Sequence, residues 1–432
     1  MKPRAHIIGG GLAGLAAALR LSQAGYPVTL HEAGPVCGGR CRSYFDRELG
    51  CRIDNGNHLL LSGNAAAMAY LDIIGTRDTL AGPSAPAFPF MDLRTGARWT
   101  VRPNAGKLPW WIFVPARGVP GAGWRDYLAL RKLRGATEGD TVAGLLAHNA
   151  LYRNLIEPLA ISALNTPVEA GSARLLWAVL AGSLAKGGAQ CVPCFPRDGL
   201  SESFVDPAIA FIRAHGGEVR TASRIAGLRH DAGRITGLSG PDGIIEVTAG
   251  SSVILAVAAP NAAQLLPGLA VPDEFEAIIN LHFRLVAPGS APFAQAGFIG
   301  LIGGLSEWVF IKPGIVSVTI SAANRLADRA GEELAASIWP EVCTALGLPP
   351  GDAAPMPPWR LIREKRATFA ATPAQQRRRI SATTPLRNLV LSGDWTNTGL
   401  PATIEGAISS GFVAAQRVGA PPLRGVLARL TA

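Results

Sequence analysis

The chain has 432 residues, 48% of them hydrophobic and 17% charged, enough for two interleaved domains with a substantial core. Its formal net charge of +10 fits an anionic partner such as a membrane surface, or a plain compositional bias. Nucleic acid is set aside, because no nucleic-acid-binding motif accompanies the charge, and the longest apolar candidate, Leu175 to Ala185, is about half of a membrane span.

Residues 5 to 32 read as a strand, a glycine turn, a helix and a second strand that ends at Glu32. Gly9-x-Gly11-x-x-Gly14 sits where a dinucleotide fingerprint needs it. The first glycine permits the tight turn, the second lets backbone approach phosphate, and the third allows close helix–strand packing. The helix start adds amide donors for a pyrophosphate, and Glu32 can accept from both ribose hydroxyls. A glycine-rich turn alone would be weak, but here strand, helix and acid fall in register. Because the first apolar segment is itself this fingerprint, it is not read as a cleaved signal, and a cytoplasmic protein is expected. Gly38-Gly39-Arg40 then tilts the cofactor from NAD to FAD, since more backbone can pass the pyrophosphate and Arg40 can pair with it.

Residues 83 to 123 are rich in Pro, Gly and Trp and are expected to be loops, with strands around Phe88 to Val101. Within them, Trp110-Trp111-Ile112-Phe113-Val114, with Lys107 and Arg117, fits either a membrane-contact loop or a core strand over a substrate cavity. The pattern turns helical from about 124 to 190, where Leu175 to Leu180 is core. A helix is expected at Ala208 to His215, a strand at Gly217 to Arg220, a hairpin from Arg234–Leu238 and Ile244–Val247, and a buried strand at Val253 to Val257. Residues 275 to 320 alternate as antiparallel strands, and 326 to 346 are helical. Gly300 to Gly304 lacks the strand–helix setting of a second fingerprint, so electrons are expected from an external donor. The six cysteines read as reduced, mostly structural thiols; Cys191-Val-Pro-Cys194 lacks the second pair of a zinc site, and no metal is expected.

Near the end, an apolar strand from Leu389 runs into Gly393-Asp394, and a helix begins after Pro401 at Thr403. Asp394 can accept from a ribitol hydroxyl. Helix-start amides at Thr403 and Ile404 can face the N1–C2 carbonyl edge of a flavin and stabilise its anionic reduced ring. The expected fold is α/β, a Rossmann-type FAD-binding domain of the GR2-like flavoprotein kind with a discontinuous α+β substrate domain. The FAD-binding segments are 1–80, 190–265 and 380–432, and the substrate segments are 81–189 and 266–379.

These motifs resemble the phytoene desaturase and amine oxidase group of flavoproteins, and within it the hydroxysqualene dehydroxylase family. The resemblance rests on Gly38-Gly39-Arg40-Cys41-Arg42-Ser43, Asp54-Asn55-Gly56-Asn57-His58-Leu59-Leu60-Leu61, Leu164-Asn165-Thr166-Pro167 and the run from Ser392 to Ala407. Asn57 departs from it, since glutamine is expected there. The resemblance implies that Val219 and neighbouring backbone meet the adenine, and that the Asp54–His58 strand passes near the isoalloxazine. It also implies a polyisoprenoid substrate, with hydride from reduced flavin replacing the allylic hydroxyl of hydroxysqualene to give squalene. His58 and Asp54 are the candidate acids for the departing hydroxyl, with His282 third or simply a buried structural histidine. The apolar composition adds peripheral association with the inner face of the cell membrane. A carotenoid desaturase or isomerase would use the same site oxidatively, an amine oxidase would need an aromatic cage, and a non-enzymatic lipid carrier would show degraded flavin motifs.

Overall fold

The computed structural model describes residues 2–349 and 354–423, so residues 424–432 of the last expected segment lie outside them. The chain opens with strand β1 (Ala5–Ile8), helix α1 (Leu12–Gln23) and strand β2 (Val28–His31). A hairpin of β3 (Ser43–Asp46) and β4 (Cys51–Asp54) leads to α2 (Ala65–Ile74). Next come β5 (Phe88–Asp92) and β6 (Arg98–Val101), then a helical stretch that includes α3 (Glu157–Leu164) and α4 (Ala173–Gly182). Helix α5 (Asp206–Ala214) and β7 (Glu218–Arg220) precede a meander of β8 (Gly227–Asp231), β9 (Arg234–Gly240) and β10 (Gly243–Glu246), then β11 (Ser252–Leu255). After β12 (Phe275–Arg284), β13 (Phe298–Ile302), β14 (Trp308–Lys312) and β15 (Ile315–Ile320) come α6 (Gly331–Leu346) and β16 (Trp359–Phe369). The chain returns with β17 (Leu389–Leu391) and α7 (Ile404–Val418).

Two sheets organise these elements. The first is fully parallel in the order β7-β2-β1-β11-β17, the order of a doubly wound nucleotide-binding sheet. Its strands are buried on both faces, which is why Ala5-His6-Ile7-Ile8 and Ser252-Val253-Ile254-Leu255 read as apolar runs without alternation. Helix α1 lies between this sheet and α7, and it fits only because the backbones come unusually close. A Cβ on Gly14 would stand 1.9 Å from the Gly9 carbonyl oxygen, and one on Gly411 would stand 2.3 Å from that of Ala13.

The second sheet runs β16-β12-β15-β14-β13-β5-β6, antiparallel except for the β13–β5 pair. Period-two alternation gives it two chemically different faces. Leu281, Val309, Val316 and Val318 pack against Leu334, Ile338 and Val342 of α6. Phe90, Phe298, Trp308 and Phe310 point the other way, into a core shared with α3 and α4. The Leu164–Pro167 motif ties that helical layer to the sheet. Asn165, with φ of 47°, donates to Thr368 Oγ1 at 2.9 Å and accepts from the Ala322 amide at 2.7 Å.

Three local expectations change. The helix expected from 326 starts at Gly331, after a separate turn of 3₁₀ helix at Ala323–Leu326. Strand β8 carries no strand pattern in the sequence, because its Gly227-Leu228-Arg229-His230-Asp231 is mostly exposed and polar, and pairing to β9 alone makes it a strand. Residues 110 to 113 form a 3₁₀ turn, so the core-strand alternative for the tryptophan segment fails. Pro109 before it and Pro115 after it each remove a ladder donor.

Gly411→Ala is expected to destabilise the folded chain by about 1–3 kcal/mol through forced separation of α1 and α7, read as a lower midpoint in denaturant.

Candidate active site

The turn between β1 and α1 forms an open slot walled by backbone. Gly9 has φ of +109°, and its amide donates to His31 O at 2.8 Å. Gly38 donates to Gly10 O at 2.8 Å, and this pairing brings the second glycine pair alongside the first. Gly11 is informative. Its φ is −72°, which any residue can adopt, and a Cβ there would meet nothing within 4 Å. Neither backbone nor packing demands glycine at this position; a group filling the open space would. Helix α1 begins there with no side-chain cap and no acidic residue in its first turn. A pyrophosphate matches all three features: room, helix-start amides without a side-chain cap, and no acidic side chain in the first turn of the helix.

Glu32 anchors the next part of the slot. Its two carboxylate oxygens accept from the Gly10 and Gly34 amides, each at 2.7 Å. A carboxylate has about four acceptor positions, so capacity remains for ribose hydroxyls. The backbone after β7 runs alongside, with Glu32 donating to Arg220 O and Ser223 donating to Glu32 O, both at 2.8 Å. Val219 is buried in β7 opposite Leu30, one strand out from the glycine turn.

The two ends of the chain meet at an ion pair. Arg40 Nη2 lies 2.8 Å from Asp394 Oδ2 and donates to Oδ1 at 2.9 Å. The sequence motifs assign these residues to separate cofactor groups, and the structure joins them to each other across 354 positions. The carboxylate of Asp394, and secondarily its hydrogen bond, raise the Arg40 pKa further above its ordinary value. At the start of α7, Thr403 Oγ1 accepts from the Gly406 amide at 3.1 Å, and Ile404 is the first helical residue. Glu405 reaches across to cap α2, accepting from the Ala66 and Ala67 amides at 3.0 and 2.8 Å.

Arg379 is a residue the sequence did not single out, because it ends a basic run that reads as solvated charge. It is buried, and its Nη2 donates to Asp394 O, Thr396 O and Thr398 Oγ1 at 3.1, 2.6 and 3.2 Å. Burial lowers its pKa to about 10. It braces the loop that presents Asp394.

The Asp54–His58 segment runs from the end of the β3–β4 hairpin to the second sheet, where Asn57 and Asn55 meet β15 and β12. Asn57 donates to Thr319 Oγ1 at 3.0 Å, so the residue that departs from glutamine still reaches the second sheet. Thr319 in turn donates to Asn280 Oδ1 at 2.8 Å. Asp54 accepts from Ser43 Oγ at 2.6 Å and from the Leu200 amide at 2.9 Å, and it pairs with Lys312. Burial alone would raise the Asp54 carboxyl, but Lys312 and these hydrogen bonds hold it below the usual carboxylate range. His58 is partly accessible, yet enough protein surrounds it that burial lowers its pKa to about 4. His282, fully buried on β12, shares a 2.7 Å hydrogen bond with Ser317 and is likewise lowered to about 4 by burial.

The sequence matches the flavin containing amine oxidoreductase family over residues 12–288 and 311–419. It is 46% identical to the hydroxysqualene dehydroxylase of Rhodopseudomonas palustris, across 97% of this chain and 99% of that protein. It is 45% identical to the hydroxysqualene dehydroxylase of Sinorhizobium fredii, across 96% and 98%. The chain belongs to the hydroxysqualene dehydroxylase family of flavin-containing amine oxidoreductases. Among solved structures, cyclohexylamine oxidase from Brevibacterium oxydans superposes with a TM-score of 0.69 over 97% of this chain and 99% of that one. At 15% identity this likeness concerns the fold alone. Members of the family are FAD-dependent oxidoreductases, and the slot, the helix start and the Glu32 carboxylate suit that cofactor.

Gly11→Ala is expected to lower FAD retention while costing the cofactor-free chain no more than about 1 kcal/mol, the size of an N-cap substitution, because the added Cβ meets nothing within 4 Å. Equal flavin content in variant and parent would show that the slot is not the phosphate site. Glu32→Ala and Asp394→Ala are each expected to weaken FAD binding by about 1.5–3 kcal/mol, the size of a charge-assisted hydrogen bond, as measured by flavin titration.

Proposed function

We propose that this chain removes the allylic hydroxyl of hydroxysqualene reductively and releases squalene. The observation that carries the reading is the divided face of the second sheet. On it an aromatic floor of Phe90, Phe298, Trp308 and Phe310 adjoins a polar strip of Asn280, His282, Lys312, Ser317 and Thr319. A long hydrocarbon with one hydroxyl has this same division. The names of the relatives support the same substrate over a desaturase reading. Bound FAD in its reduced form supplies a hydride.

The residues do the rest. In this reading the apolar chain enters between the aromatic side of the sheet and the helical layer packed on it, where water that would otherwise capture an allylic cation is excluded. The ring faces there also favour positive charge. The cofactor contacts in this reading are Gly9, Gly11, Gly14, Glu32, Gly38, Gly39, Arg40, Val219, Asp394, Thr403 and Ile404. Asp54 and His58 position the segment beside the ring. Neither stores a proton at neutral pH, since Asp54 is held as a carboxylate and His58 as neutral imidazole. Reducing equivalents come from an external donor.

The reading includes peripheral attachment to the inner face of the cell membrane. In the 3₁₀ turn, Trp111 and Ile112 are anchored in the core while Trp110 and Phe113 are 51% and 63% exposed. Leu108 and Trp124 extend the apolar patch, Phe113 and Trp124 lie 6.0 Å apart, and Arg117 and Arg125 sit over Trp110 and Trp124. Aromatic rings flanked by cations match the interface of an anionic bilayer. No described helix is long and apolar enough to cross a membrane.

With flavin carrying deuterium at N5, in a single turnover faster than exchange, one deuterium is expected in squalene. Label-free squalene would remove direct hydride transfer, and oxidation of phytoene or squalene as the sole activity would favour a desaturase. Replacing Trp110 and Phe113 with serine is expected to reduce co-sedimentation with anionic liposomes while leaving flavin content unchanged; undiminished binding would place the attachment elsewhere.

A further inference from the structure

A cavity of about 110 Å³ lies behind the end of β4. Ser43, Asp54, His282 and Ser317, all buried, line it together with Lys312, and so do the exposed Arg52, Arg197 and Asp198. It therefore runs from the surface to a buried polar cluster. The ion pair of Lys312 and Asp54 sits at its inner end, with side chains only 11% and 5% exposed. His282 Nε2, also there, is buried with no hydrogen-bond partner among the described residues. A polar cavity of this size has room for a short file of waters.

The position of Lys312 gives the cavity a use. Lys312 follows Phe310 by two residues on β14, so both point to the same face, about 7 Å apart along the strand. The lysine thus borders the aromatic floor on one side and the cavity on the other. Apolar side chains of similar volume would often stabilise a core at least as well as a buried ion pair, so stability alone does not account for this one.

Reductive dehydroxylation consumes a proton. The hydride forms the new C–H bond, the C–O electron pair leaves with the oxygen, and a proton converts the departing hydroxide into water. A floor that excludes bulk water also excludes its protons. We propose that the cavity is the proton inlet and Lys312 its relay. The ammonium Nζ gives a proton to the departing oxygen, directly or across one water, and regains one from the water file. Asp54 holds it in place as counter-ion. This inference rests on the dehydroxylation reading above.

The test uses FAD-loaded enzyme, reduced anaerobically and mixed with hydroxysqualene. Lys312→Arg keeps the cation beside Asp54 but binds its proton too tightly to give it up. It is expected to retain FAD, to be reoxidised by ferricyanide at the parent rate, and to be reoxidised by substrate about a hundredfold more slowly. In Lys312→Ala, added ethylammonium is expected to recover part of that rate. In the unaltered enzyme the same step is expected to slow in D2O. Reductive methylation of the resting enzyme, mapped by mass spectrometry, is expected to reach Lys312 without unfolding. A Lys312→Arg enzyme that turns substrate over at the parent rate overturns the relay, as does an unaltered enzyme with no D2O effect on this step. A Lys312 that stays unmodified until denaturation overturns the inlet. Parent enzyme that forms no squalene identifies the dehydroxylation reading as the failure and removes the inlet with it.

Discussion

The close approach of α1 to its neighbours is the constraint on which the other features depend. Gly14 brings the helix against the β1 turn, and Gly411 brings α7 against the opposite side of the helix. Atoms added at either position would push apart the first and last segments of the chain. The glycine slot, the Asp394 loop and the start of α7 all belong to those segments. Backbone contact between them sets the cleft before any side chain does.

Charge then fixes what packing brings near. Arg40 and Asp394 close one side of the cleft, and the buried Arg379 braces the loop behind Asp394 with three donated bonds. Lys312 and Asp54 join the β3–β4 hairpin to the second sheet. These charges are partly or wholly desolvated, so removing one partner of the Lys312–Asp54 pair leaves the other at a cost well beyond that of a surface ion pair. Such fixed groups suit a site where charge develops during reaction, because they need no reorganisation when it does.

The second sheet separates two tasks by simple alternation. One face is a plain hydrophobic core against α6. The other carries aromatic residues near the helical layer and polar residues near the hairpin. A single β-sheet can thereby present a dry surface and a hydrogen-bonding surface within a few residues of each other. The tryptophan turn follows the same economy at the molecular surface, burying two side chains and exposing the two beside them.

Fold class, flavin, family and most elements are legible in the residues alone. These depend on local patterns: glycine spacing after an apolar strand, period-two alternation, and an acid at the end of β2. The sequence also locates the tryptophan segment, but not its conformation. Other features depend on which distant residues meet, and no local pattern carries them. Arg379 reads as surface charge until burial against the Asp394 loop shows otherwise. Arg40 and Asp394 read as two separate ligand contacts, and only the fold shows that they also pair with each other. Asp54 and His58 read as candidate acids, while the Lys312 pairing that lowers the Asp54 pKa and the burial that lowers that of His58 come from distant parts of the chain. Lys312 carried no signal at all. It stands 258 positions from its partner, and no local pattern reports a contact made across that distance in space.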